Sequence, residues 1–130
     1  MKIITLTILL TFVIACQPAA PVDETQVRVD SIEILILESF PVQVHAILSG
    51  STRDGCVVID EVAVVREGNI FELRVQASRL DDARCDGQRQ PFEQSVALDV
   101  FGLRAGTYTV NVDEVSEMFE LVIDNVPQES

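Results

Sequence analysis

Apolar and polar positions alternate along most of the chain with a period of two, the repeat of a strand with one buried and one wet face. The clearest case is residues 70–77, where Phe71, Leu73, Val75 and Ala77 interleave with Glu72, Arg74 and Gln76. Just before it, residues 57–66 are rich in Val and Ile, and Glu67-Gly68-Asn69 supplies residues that accept positive φ for a tight hairpin. Residues 27–37 read as a long strand, and after a break at Pro41 the alternation resumes through Val42, Val44, Ala46 and Leu48. Phe92, Val96, Leu98 and Val100 form another inward set, and Tyr108, Val110 and Val112 interleave with Thr107, Thr109 and Asn111. A final run, 117–123, puts Phe119, Leu121 and Ile123 on one face. No stretch carries a convincing amphipathic helix period. Seven short, turn-punctuated strands in residues 27–124 predict an all-β chain folded as a single seven-stranded antiparallel β-sandwich.

The N-terminus breaks this pattern. Lys2 is followed by an uncharged apolar run, residues 3–14, ending in the small Ala15 and then Cys16. That is the layout of a signal peptide: a positive start and a short apolar stretch. As a helix it spans about 18 Å, too short for the ~30 Å hydrocarbon core of a bilayer. Val13-Ile14-Ala15-Cys16 resembles the lipobox of bacterial lipoproteins. The resemblance implies that residues 1–15 are removed and that Cys16 becomes the lipidated first residue, holding the protein to a lipid bilayer. Several acyl chains make a stable anchor, since one alone is marginal. Gln17 stands where the family's inner-membrane retention signal has Asp, which favours the outer membrane in a cell that has one. The competing expectation is an ordinary secretory signal cleaved near Ala15 or Ala20, with Cys16 incidental. Residues 17–26, with two prolines and no aromatic, read as a flexible tether reaching about 30 Å when extended. Residues 125–130 are expected to be a C-terminal tail.

With Cys16 assigned to lipid, Cys56 and Cys85 remain, and in an oxidising compartment one disulfide is the default over two buried thiols. Two cysteines without CxxC spacing or a nearby His make poor material for zinc. The stretch Leu103-Arg104-Ala105-Gly106-Thr107-Tyr108 looks like the Gly-x-Tyr turn of immunoglobulin-like and fibronectin type III-like domains. That resemblance implies an immunoglobulin-like sandwich in which Gly106 and Tyr108 form a structural tyrosine corner, the hydroxyl bonding backbone across the sheet corner. The antibody pattern itself is missing, because the chain has no Trp and Cys85 lies in a polar loop. The disulfide is therefore expected to be a loop staple.

Composition then narrows the function classes. The chain has 130 residues, a net charge of −12, one His and no Trp. After Lys2 every basic residue is Arg, eight against 21 carboxylates, for a net charge of −13. Such a balance argues against nucleic acid, whose phosphates need clustered cations. It accords with solubility, with salty surroundings, or with a compositional bias of the source. The segment 78–91 is long for a sandwich connection and carries Arg79, Asp81, Asp82, Arg84, Cys85, Asp86 and Arg89. A bond to Cys56 would draw it against Arg53 and Asp54, so these paired loops are the candidate surface for a protein or glycan partner. The alternative is a solvated connector. Asp54, Asp81, Asp82 and Asp86 offer calcium ligands, but three neighbouring arginines and the missing Asp-x-Asp-x-Asp-Gly spacing oppose it. His45, the sole histidine, sits on the outward parity of its strand, and no nucleophile-elbow pattern accompanies it. The expectation is a non-catalytic extracytoplasmic module of the cell envelope, with no metal, catalytic residue or cofactor. An accessory or assembly subunit of a larger envelope complex is the alternative, and an inhibitor of exogenous hydrolases a lesser one.

Overall fold

A computed structural model describes residues 26–80, 85 and 87–127. Seven strands follow in order: β1 (Val27–Leu37), β2 (Gln43–Thr52), β3 (Val57–Glu67), β4 (Ile70–Arg79), β5 (Gln90–Leu98), β6 (Gly106–Val112) and β7 (Val115–Leu121). They form two sheets, β1-β2-β5 and β3-β4-β6-β7. Between the sheets lie the alternating residues read from the sequence: Val44, Ala46 and Leu48 of β2, Phe71 and Leu73 of β4, Val96 and Leu98 of β5, and Tyr108, Val110 and Val112 of β6. At its centre, Phe71 packs 6.2 Å from Tyr108 and 6.1 Å from Phe119, ring centre to ring centre, in the tilted geometry that aromatic pairs favour. The core inherits its shape largely from strand parity. Ile123, expected beside Phe119 and Leu121, lies beyond the end of β7 and is exposed.

The sandwich is not purely antiparallel. β4 runs parallel to β6, Ile70 opposite Thr109 through Leu73 opposite Val112. In immunoglobulin domains the third strand lies beside the sixth. Here the fourth takes that place, and the β3–β4 hairpin reverses its order. Burial explains the exchange. β4 presents Phe71 and Leu73, both fully buried, whereas Val57 is the only fully buried residue of β3. The strand with the stronger inward face occupies the centre of its sheet, and the weaker one, with Val64 and Val65 exposed, forms the edge.

Two bulges adjust the edges. In β1 the register shifts between Val29 and Ser31, so Val29 and Ile32 both face the core despite opposite parity. The backbone is drawn so close there that a Cβ on Gly50 would stand 1.9 Å from the Arg28 carbonyl oxygen, and only glycine fits. A second shift falls between Ile59 and Glu61 of β3.

Strand direction and register give the sandwich two poles. Val27, Thr52 and Gln90 share one end of the first sheet, and Val57 and Arg79 share one end of the second, toward which the β6–β7 turn also points from the level of Leu73. The Arg53 amide donates to the Gln26 carbonyl at 2.8 Å, which fixes the start of β1 against the loop that joins the sheets. This is the N-terminal pole. The opposite pole gathers the turn after β1, the β3–β4 hairpin, the β5–β6 connection and the segment after β7.

Candidate functional site

At the N-terminal pole, Cys56 and Cys85 form a disulfide across a separation of 29 residues. The expected staple between the two loops is present. Asp54 is buried beside it. Its Oδ1 accepts the Cys56 amide at 2.9 Å, a side-chain turn that Asp makes readily with backbone two residues on. Its Oδ2 accepts from Arg79 Nη1 at 3.0 Å, forming an ion pair. The amide bond to Cys56, helped by the guanidinium of Arg79 and more weakly by that of Arg53, holds the Asp54 carboxyl below its ordinary pKa although burial pulls the other way. Arg79 Nη2 also reaches Cys85 Sγ at 3.3 Å. Asp54 and Arg79, picked out as candidate partner-binding groups, are therefore turned toward each other and the disulfide.

Arg53 and Arg89 are exposed at the same pole, and Arg89 Nη1 lies 3.5 Å from Ser51 Oγ. Arg89 also lines an open groove of about 830 Å³ with Val27, Arg28, Asp30, Asp113 and Glu114. Asp81, Asp82, Arg84 and Asp86, like Cys16, lie outside the described residues. A carboxylate oxygen of Asp54 and the sulfurs of Cys56 and Cys85 fall within 4.8 Å of one another, the one such grouping among the described residues. With the sulfurs bonded to each other there are no thiolates to ligate a metal, and both Asp54 oxygens already accept hydrogen bonds. His45 Nδ1 is 3.4 Å from Ser95 Oγ across the β2–β5 ladder. Among the described residues no helix is long and apolar enough to cross a membrane.

The opposite pole is organised by a residue that sequence reasoning passed over. Asn125, within the expected tail, is only 1% exposed. Its Oδ1 accepts the Val42 amide at 2.8 Å, and its Nδ2 donates to the carbonyls of Val42 and Val100, both at 3.0 Å. Its own amide donates to Leu103, and its carbonyl accepts from Gly102, each at 2.7 Å. One side chain thus joins the segments before β2, after β5 and after β7. Nearby, the Tyr108 hydroxyl donates to the Arg104 carbonyl at 2.7 Å, the contact that the Gly-x-Tyr resemblance implied. Around this knot the surface is apolar. Phe40, Phe101, Val122, Ile123 and Val126 are 53%, 59%, 79%, 54% and 40% exposed. The sequence signal for it was an unexplained excess of large apolar residues at turns, where polar residues are the norm.

Comparison with known proteins places the sandwich. Residues 46–121 match the ORF11 beta-sandwich domain. The chain is 34% identical over 94 residues to an uncharacterized 10.2 kDa protein in the HgiCIIM 5′ region of Herpetosiphon aurantiacus, across 72% of this chain and 98% of that protein. The match takes in nearly the whole of the relative, so what the two proteins share is a unit of about the size of the sandwich itself. No solved structure matches. The family match runs from the middle of β2 to the end of β7, six of the seven strands, and the chain belongs to the ORF11 β-sandwich domain family.

Proposed function

We propose that the protein is a membrane-anchored extracytoplasmic lipoprotein that displays a non-catalytic interaction module. The observation that carries this reading is the polarity of the domain. The chain enters the sandwich at the disulfide pole, where Gln26 is bonded to Arg53, so an anchor at Cys16 stands the domain on that pole. The disulfide-linked loops then face the bilayer, and the pole built around Asn125 faces outward. A tether of ten residues leaves up to about 30 Å between them. Asp54, Arg79 and the disulfide serve in this arrangement as the stiff base of the domain, with their charges satisfied internally. The net negative charge keeps the body of the domain off anionic head groups.

The role as an accessory or assembly subunit of a larger envelope complex is favoured over free display by the exposed apolar side chains of the outward pole. They suit burial against another protein better than contact with water.

The test is metabolic labelling with a radioactive fatty acid in the source cell, comparing the natural chain with Cys16→Ala. The expected result is label in the membrane fraction for the natural chain, and loss of both label and membrane association for the variant. Equal labelling of the two, or a natural chain recovered without lipid in the soluble fraction, overturns the anchoring reading.

A further inference from the structure

We infer that the outward pole is a docking surface for a basic protein partner, one with an apolar centre bordered by Lys or Arg. The inference rests on the proposed function only for its direction, outward from the membrane; the surface itself is a property of the fold.

The first argument is exposure. Phe40, Phe101, Val122 and Ile123 are each more than half exposed on the segments that meet at Asn125, a gathering of large apolar side chains of the kind that marks a protein interaction surface. The second is rigidity. Phe101 sits between Val100 and Gly102, both hydrogen-bonded to Asn125, and Val126 follows Asn125 directly, with Ile123 two residues before it. These groups are held by backbone hydrogen bonds rather than carried on a loose end, which reduces the ordering cost of binding.

The third argument is charge, and it selects the occupant. Two carboxylates are fixed at this pole by backbone amides. Asp99 Oδ1 accepts the Phe101 amide at 3.3 Å, and Asp124 Oδ1 accepts the Ala105 amide at 2.8 Å. Glu38 and Glu67 stand exposed on the neighbouring turns, and the cations nearby are Arg66, which donates to the Gly68 carbonyl, and Arg104. An apolar centre with a mostly acidic rim calls for the opposite rim on the partner. A second copy of this chain is disfavoured, because it would bring two acidic rims together on chains of net charge −12. An anionic lipid surface is disfavoured for the same reason.

The experiment places a benzophenone-bearing phenylalanine at position 101 of the full chain in the source cell, with position 53 as the control, and identifies the photo-adduct by mass spectrometry. The expected adduct forms from position 101 only, to a peptide with Lys or Arg flanking apolar residues. In an Asp99→Asn/Asp124→Asn background, where the amide oxygens keep both backbone bonds, the yield should fall at least fivefold with the melting temperature unchanged. Adducts to a second copy of the chain, to lipid or to an acidic peptide overturn the inference. So do equal yields in the neutralised background, or no adduct at all. Fatty-acid labelling in the same cells separates the two proposals. A basic-partner adduct on an unlabelled chain overturns only the anchor, and a labelled chain without the adduct overturns only the docking surface.

Discussion

Asn125 shows how much of a fold one polar side chain can hold. Three side-chain hydrogen bonds leave it to three backbone groups on two segments that lie 25 and 83 residues away in sequence. Asn125→Ala would leave those buried groups unpaired, so the expected loss is about 3 kcal/mol or more, read from the denaturant midpoint. Nothing in the sequence Val122-Ile-Asp-Asn-Val126 marks this asparagine, because its partners are backbone atoms and backbone has no residue code. Asp54 was more legible. Asp-x-Cys is a short-range turn pattern, and its charge was recognised, but as a surface charge rather than as a buried acceptor. Its folded pKa lies below the ordinary carboxylate value, so its contribution to stability is present above pH ~4 and is lost as pH falls through the lower, folded value. The natural chain should therefore lose stability on acidification below pH ~4 more steeply than Asp54→Asn, in which an amide oxygen can still accept the Cys56 amide. Parallel curves for the two would show that the carboxylate is not held in this way.

The strands themselves were readable almost to their ends, because a buried face and a wet face write a period of two directly into the sequence. Their neighbours were not. Which strand lies beside which depends on how inward faces compare across the sheet, and on bulges such as that at Val29, where a single extra residue swaps parity. The reversed β3–β4 order makes a measurable claim about these two elements. Leu73→Ala on central β4 should cost about 2–5 kcal/mol, whereas Val65→Ala on edge β3 should change stability by no more than about 0.5 kcal/mol. Similar losses at both positions would contradict an edge role for β3. Edge placement also accounts for the exposed valines of β3, which the run of apolar letters alone would have put in the core.

At the scale of the whole molecule, the disulfide and the asparagine knot close opposite ends of one sandwich. The bond between Cys56 and Cys85 restrains a 29-residue span, so reduction should lower stability by about 3–4 kcal/mol on the chain-entropy model, seen as a shift of the denaturant midpoint in dithiothreitol. The far pole contains no cysteine and should keep its local protection against hydrogen exchange under mildly reducing conditions. The sequence identified the staple and the loops it joins. What it left out was direction, since the placement of Gln26 beside Arg53 is a contact between segments that composition and spacing do not relate.

That placement has a mechanical side. Under the proposed anchoring and docking, a pull between the N-terminus and a partner at the far pole would act along the axis of β1, which is paired with β2 at ten positions from Val27 to Leu37. Loaded in this direction the rungs of the ladder are sheared together, whereas a chain drawn sideways from a sheet edge unzips one rung at a time. The geometry therefore resists force best along the line in which a tethered domain is pulled, with its first strand acting as the tendon.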